Sequence, residues 1–474
     1  MHWNIKDTPL QETTAHLIDC LGVDAVVAQL LAQRGITTFE DAKAFFRPHI
    51  GQLHDPFLMK GMDKAVARLQ QAIDQKEAVM VYGDYDVDGT TSVSLLTHFL
   101  RSQDLDVTPY IPDRYAEGYG LSKKGIDTAK AANIKFMIAL DCGVKAIEQV
   151  AYAKTLGIEL IICDHHTPGD ALPDALAVLD PKRSDCTYPF KELCGCGVGF
   201  KLMQGLLQQQ GKEVNEVIAY LDFVAVAIAA DIVPMVGENR ALAFLGLQQL
   251  NTHPRPGLKA LMRDKPTGQI ISDVVFGMAP RINAAGRMKH GLDAVELLLS
   301  ASDEEAKKRA QEVETYNSSR REVEQDITKE ALAQIVANEE EKSAANVVYA
   351  PHWHKGVIGI VASRLIETYY RPTLVFTKSG EGVLAASARS VRGFDVYKAI
   401  DACRAHIIQF GGHKYAAGVT IKEESYEAFK AAFETQVAQT ITAAQKEQSL
   451  DIDVALPFAS ITPKLLRILK QMEP

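Results

Sequence analysis

Gly83-Asp84-Tyr85-Asp86-Val87-Asp88-Gly89-Thr90-Thr91-Ser92 follows directly on the apolar run Ala78 to Tyr82. Alternate residues of an extended segment point the same way, so the three carboxylates are expected to project together from a strand end. Like charges a few Å apart repel by about 4 kcal/mol per pair at an effective dielectric near 20. A cation must therefore sit among them, and carboxylate oxygens suit Mg and Mn. The other readings are a polar loop that solvates its own acids and a calcium loop. An EF-hand would continue through several ligands to a Glu between two helices, whereas the flank here is an apolar strand.

Two more strand-like runs end in the same way. Lys135 to Leu140 leads into Asp141-Cys142-Gly143, and Glu159 to Cys163 leads into Asp164-His165-His166. Each run is followed by a helical stretch, which is the pattern of an α/β fold with a parallel sheet. Such sheets hold their ligands beyond the carboxyl ends of the strands. One acid at such a place reads as a helix cap; three acidic ends with a histidine pair point to a site. Asp231, at the end of the apolar stretch Val217 to Ala230, is a fourth candidate, with a helix-end acid as its alternative reading.

At 474 residues the chain has room for two or three domains, and a hydrophobic fraction of 47% is that of an ordinary globular protein. The start, Met1-His2-Trp3-Asn4-Ile5-Lys6-Asp7, is not a basic-then-apolar leader, and no apolar run is long enough to span a bilayer. No membrane association is expected. Seven cysteines, an odd number, argue against a disulfide framework and fit a cytoplasmic protein. Cys194-Gly195-Cys196 is spaced too tightly for a zinc knuckle and has no second pair, so it is read as structural. The net charge of -9 provides no global positive field, so any grip on nucleic acid must come from a local groove.

Composition and periodicity divide the chain further. Residues 1–75 read as a mostly helical extension and 76–300 as the alternating α/β domain. Residues 301–343 read as a long connecting helix, because Ser302 to Glu341 contains neither Gly nor Pro. Val313, Tyr316, Val323, Ile327, Ala331 and Ile335 recur there at near-helical spacing. Residues 344–440 form a second, smaller α/β unit. Residues 449–474 open with the alternating Leu450-Asp451-Ile452-Asp453-Val454 and read as the start of an incomplete further domain, so the chain is expected to be part of a longer one.

The whole series of motifs resembles the DHH phosphoesterases, and within that family its single-strand-specific DNA exonucleases. It comprises the Asp84 to Ser92 run, Asp141-Cys142-Gly143, Asp164-His165-His166 and Ala230-Asp231-Ile232-Val233-Pro234. It continues through Asp113 to Leu121, Pro280 to Arg287, His354 to Leu365, Ser387-Ala388-Arg389 and Gly411 to Gly418. The resemblance implies a parallel-sheet DHH catalytic domain, a long helix, a DHH-associated domain that binds substrate, and the beginning of an OB-like domain at 449–474.

The resemblance also implies two divalent cations, Mn2+ preferred and Mg2+ tolerated. Asp86 and Asp141 would hold one ion, and Asp88, Asp141, His165 and Asp231 the other, with Asp84 ligating or orienting water and His166 contacting the scissile phosphate or donating a proton. Substrate contacts are expected from Arg114, Tyr119, Arg281, Asn283, Arg287, Ser387, Arg389, Gly411, Gly412 and His413. The implied activity is removal of 5′-mononucleotides from single-stranded DNA, 5′ to 3′, in recombination and repair, with a helicase and a single-strand-binding protein as candidate partners. An oligoribonuclease or cyclic-dinucleotide phosphodiesterase of the same family is the alternative enzyme, and a nucleic-acid-binding scaffold the non-enzymatic one.

Overall fold

The computed structural model describes residues 2–474 and resolves into two compact units. One comprises Ser318–Thr462 with the N-terminal residues up to Thr37; the other comprises Thr38–Asn317 and Pro463–Pro474. The chain opens with a short strand, β1 (His2–Ile5), which belongs to the first of these.

The Thr38–Asn317 unit is built on five strands: β2 (Val79–Gly83), β3 (Val107–Tyr110), β4 (Phe136–Leu140), β5 (Glu159–Cys163) and β6 (Ala177–Leu179). They lie in the order β3-β2-β4-β5-β6, and every neighbouring pair is parallel. Helices Val87–Ser102, Lys123–Ala131 and Ile147–Thr155 provide the first three crossovers. β2 and β4 are buried along their whole length, as strands covered on both faces must be. Val79, Val81, Ile138 and Leu140 pack into one core, and the alternating Met80, Tyr82, Met137 and Ala139 into a second on the opposite face. The chain leaves β2 toward β3 on one side and returns to β4 on the other. The crevice beyond the ends of β2 and β4 is therefore a topological switch point, the usual ligand position in such sheets.

A buried ion pair ties this unit's helical layer together. Lys201, on helix Gly195–Gln209, lies 2.5 Å from Glu238, on helix Gly237–Thr252, and both side chains are fully buried. Glu238 also accepts from Tyr188 Oη at 2.6 Å and from the His54 N–H at 3.0 Å, and Lys201 donates to the His54 carbonyl at 2.9 Å.

The other unit carries β7 (Asn346–Tyr349), β8 (Thr373–Gly380), β9 (Val383–Arg389), β10 (Gln409–His413) and β11 (Ala416–Lys422), in the order β10-β11-β9-β8-β7. Only β7 and β8 pair in parallel. Phe376, Leu384, Val419, Phe429 and Phe433 are central to its core. A single helix, Asp303–Ala337, joins the two units, and its Asp303, Glu304 and Glu305 lie in the first turn, where the helix dipole favours acids.

Both units have the expected α/β architecture, but the contiguous segments need correction. Residues 1–75 do not form one extension. Helix Met62–Gln75 buries Met62, Ala65, Val66, Leu69 and Ala72 in the parallel-sheet core, whereas residues up to Thr37 belong with the other unit. Residues 449–474 are divided between the two units, after Thr462. Their strand, β12 (Ser449–Ile452), pairs in parallel with β1. The helix Pro463–Gln471 returns to the parallel-sheet unit, where Arg240 donates to the Met472 carbonyl at 2.9 Å. The helix expected over 301–343 is present, but the division between units falls inside it, after Asn317.

Removing one partner of a buried pair strands the other charge, whereas replacing both by apolar groups need not. Glu238→Ala is expected to cost about 3–5 kcal/mol in urea unfolding, and the double replacement Lys201→Met with Glu238→Leu much less.

Candidate metal centre and active site

β2 ends at Gly83, and the three carboxylates that follow are placed by two kinds of backbone. Asp84 is buried just beyond the strand. Asp86 caps helix Val87–Ser102 by accepting from the Gly89 N–H at 3.0 Å. Asp88 therefore sits in the first helical turn and not on an extended segment, which corrects the alternation argument. Gly89 permits this tight entry, since a Cβ there would lie 2.2 Å from the Asp84 carbonyl oxygen. The two Asp88 oxygens accept from the Gly195 and Cys196 N–H groups at 2.6 and 2.7 Å. The Cys194-Gly195-Cys196 segment presents the N-terminus of helix Gly195–Gln209 to this carboxylate.

Asp141 follows β4 with φ +58, a left-handed conformation that non-glycine residues adopt only at a cost. Its N–H donates to the Cys163 carbonyl at 2.9 Å, which anchors the turn beside β5. A Cβ on Gly195 would come within 2.5 Å of the Asp141 Cβ, so only glycine lets the two segments meet. His165 Nε2 lies 3.1 Å from Asp141 Oδ1, 3.7 Å from Asp88 Oδ2 and 3.7 Å from Asp231 Oδ2. Asp231 ends helix Leu221–Asp231. Residues separated by more than 140 positions thus converge on one imidazole, and Asp88, His165 and Asp231 offer ligand atoms all within 4.8 Å of one another.

The electrostatics match the geometry. Burial, with Asp86 beside it, pushes the Asp84 carboxyl up to about 8. Burial and Asp86 likewise lift Asp231 to about 7. Asp88 and Asp141 are raised well above the usual carboxylate range by burial and then by neighbouring acids. Burial, assisted by the His166 charge, lowers His165 to about 3, leaving the neutral imidazole that a metal requires. Asp84 Oδ1, Asp141 Oδ1 and both ring nitrogens of His165 are buried without a hydrogen-bond partner. Orphaned acceptors and mutually repelling carboxylates are what a divalent cation would satisfy, so the donor set fits Mn2+ or Mg2+.

His166 is held differently. Its Nδ1 donates to Asp164 Oδ1 at 2.8 Å, and its ring is 44% exposed. Burial acts to lower its pKa, but the Asp164 hydrogen bond and charge raise it to about 9, so the ring is an imidazolium at neutral pH. Tyr119 Oη lies 3.1 Å from the other ring nitrogen. Asp164, which also accepts from the Val144, His165 and His166 N–H groups, is the residue of this site that motif reading left without a role.

The substrate-contact candidates divide by unit. Arg114 stacks over the Tyr85 ring at 3.9 Å, and Asn283 keeps a buried Oδ1 without a partner. Gly286 allows helix Ala279–Met288 to approach, because a Cβ there would meet the Tyr85 carbonyl at 2.7 Å. The Tyr115 hydroxyl donates to the carbonyl of Arg287. Arg281 pairs with Glu314 at 2.6 Å and donates to the Leu261 carbonyl.

In the other unit, sheet register aligns the remaining candidates. Gly418 pairs with both Gly411 and Ser387, and Ala416 with both His413 and Arg389. Arg389 Nη1 donates to Ser387 Oγ at 3.0 Å, and no acidic side chain among the described residues pairs with it. A Cβ on Gly359 would lie 2.9 Å from both Arg389 Nη2 and Ser387 Oγ. At Gly412, φ is +147 and a Cβ would meet the Ala416 carbonyl at 2.3 Å, so glycine is required there.

Residues 78–228 match the DHH family, N-terminal domain, and residues 341–439 the DHHA1 domain. The chain is 38% identical over its full length to the single-stranded-DNA-specific exonuclease RecJ of Bacillus subtilis, of which it spans 60%. It is 37% identical to the protein of that name from Salmonella typhimurium, with 88% of this chain and 76% of that one covered. Among solved structures, RecJ of Thermus thermophilus in complex with Mn2+ superposes with a TM-score of 0.87 at 29% identity, covering all of this chain and 67% of that one.

The raised groups set a pH dependence. From about pH 6.5 to 9, Asp231 (about 7), Asp84 (about 8) and His166 (about 9) lose in turn protons that the folded state holds beyond the pH at which the unfolded chain releases them. The folded state binds more protons, so stability falls as pH rises through this window. Metal-stripped protein is expected to melt several degrees lower at pH 9 than at pH 6.5, with about 2–4 °C corresponding to each kcal/mol. Mg2+ should raise the melting temperature more at the alkaline end, as thermal scans in chelator and in Mg2+ would read out.

Proposed function

Because the chain belongs to the RecJ branch of the DHH family, we propose that it is a metal-dependent exonuclease of single-stranded DNA. It would work from the 5′ end and release 5′-mononucleotides, in recombination and repair. The convergence of Asp88, Asp141 and Asp231 on His165 carries this reading, since neither packing nor capping explains three acids around one neutral imidazole. We assign Asp86 and Asp141 to one divalent cation, and Asp88, Asp141, His165 and Asp231 to a second, Mn2+ preferred over Mg2+. When bound, the two ions supply positive charge for water activation and for the oxygens of phosphodiester cleavage. Asp84 orients water beside them.

The chain's own groups do the rest. His166, protonated and aligned by Asp164, carries a proton at Nε2 to give to the departing 3′-oxygen of the terminal nucleotide. Arg389 lacks an acidic partner and, with Ser387 and the Gly411-Gly412-His413 strand, forms an anion site suited to a terminal phosphate. Capture of a terminal phosphate would make the enzyme an exonuclease. Arg114, Tyr119, Asn283 and Arg287 contact the strand without selecting its sequence. Seven free cysteines suit a reducing cytoplasm, and a helicase and a single-strand-binding protein would supply the substrate.

Asp141→Asn keeps a residue tolerant of the left-handed conformation while removing the charge, and is expected to abolish cleavage with the fold intact. Single strands labelled separately at each end test the direction: small labelled products should appear first from the 5′ end, and their earlier release from the 3′ end would refute it. His166→Asn is expected to lower kcat by about 10²–10⁴ with DNA affinity kept. Arg389→Lys should chiefly raise KM, selectively for 5′-phosphorylated strands, because one ammonium cannot replace the guanidinium fork.

A further inference from the structure

We propose that Lys182 is an additional substrate-contacting residue, binding the phosphodiester backbone of the single strand beside the scissile phosphate; this rests on the nuclease reading above. β6 lies alongside β5 with Leu179 opposite Cys163, and the Asp164 N–H donates to the Leu179 carbonyl at 2.9 Å. The segment Asp180-Pro181-Lys182-Arg183 therefore leaves the sheet next to Asp164-His165-His166. Asp180 is fully buried, and its Oδ1 accepts the Lys182 N–H at 2.7 Å, fixing the turn.

The two cations on this turn have different fates. Arg183 is committed to the fold: it pairs with both oxygens of Asp185 at 2.9 and 2.8 Å and donates to the Val178 carbonyl. Lys182 makes one ion pair among the described residues, with the half-exposed Glu192 at 3.8 Å, and a pair of that kind binds weakly. Glu192 stands three residues before Gly195, whose N–H holds Asp88. The Asn239 amide donates both to the Glu192 carbonyl and to that of Pro234, three residues beyond Asp231. Lys182 is thus placed beside the segment that carries His165 and against the one whose N–H groups hold Asp88, which Asn239 ties to the segment after Asp231.

An ammonium with a weak partner at the rim of a phosphodiester-cleaving site suits a phosphate oxygen, and a point charge on a flexible stem reads no base.

The test is fluorescence anisotropy of a short 5′-phosphorylated oligothymidine on the full chain in chelator, where the strand stays intact, across about 50–200 mM salt. Lys182→Gln is expected to weaken binding roughly three- to tenfold at the low-salt end and to reduce the slope of log K against log salt by about 0.7. Lys182→Arg should restore both, with unchanged melting temperatures. An unaltered slope in Lys182→Gln overturns the assignment. So does equal weakening in both variants accompanied by lower melting temperatures, which would mark a structural role. If the wild-type chain with Mn2+ leaves single strands whole, the parent reading fails; if it cleaves them and Lys182→Gln binds normally, only the role of Lys182 does.

Discussion

Repulsion among buried carboxylates is the constraint around which the parallel-sheet unit is arranged. Five acids meet at one crevice, Asp84, Asp88 and Asp141 buried and Asp86 and Asp231 partly so, and four of them are secured by backbone. Asp88 rests on two N–H groups at a helix N-terminus, Asp86 caps another helix, Asp141 is fixed in a left-handed turn, and Asp231 ends a helix. These devices hold the acids together without neutralising them, so the remaining cost falls on protonation or on a bound cation.

The two adjacent histidines show how far local surroundings override residue type. The His165 ring nitrogens lack hydrogen-bond partners and the ring is buried and neutral; His166, one residue on, leans on Asp164 and is cationic. One dipeptide thereby offers a neutral imidazole and a charged one, the ligand and the proton donor of the proposed function. Asp164 makes the distinction, and its four hydrogen bonds keep it ionised despite burial.

Much of this was legible in the chain because strand ends in a parallel sheet are punctuated by residues that do not belong in strands. The runs before Asp84, Asp141 and Asp164 became β2, β4 and β5 within a residue or so of where their apolar content placed them. What escaped depended on tertiary partners. Alternation put Asp88 on an extended segment, but the space left by Gly89 starts the helix at Val87. The ion pair of Arg281 with Glu314, thirty-three residues on and on the long helix, has no sequence signal either. Lys182 has no motif at all; its position follows from the register of β6 on β5.

The pairing of β1 with β12 has a consequence for biosynthesis. The Asn4 and Asp451 side chains that face each other there are 447 residues apart. At a ribosomal rate of about 5–20 residues per second, the first strand emerges roughly 20 to 90 s before its neighbour exists. During that interval Trp3 and Ile5 belong to an unpaired edge, the kind of segment that recruits the wrong partner. The parallel-sheet unit, nearly all of which is contiguous, can mature meanwhile.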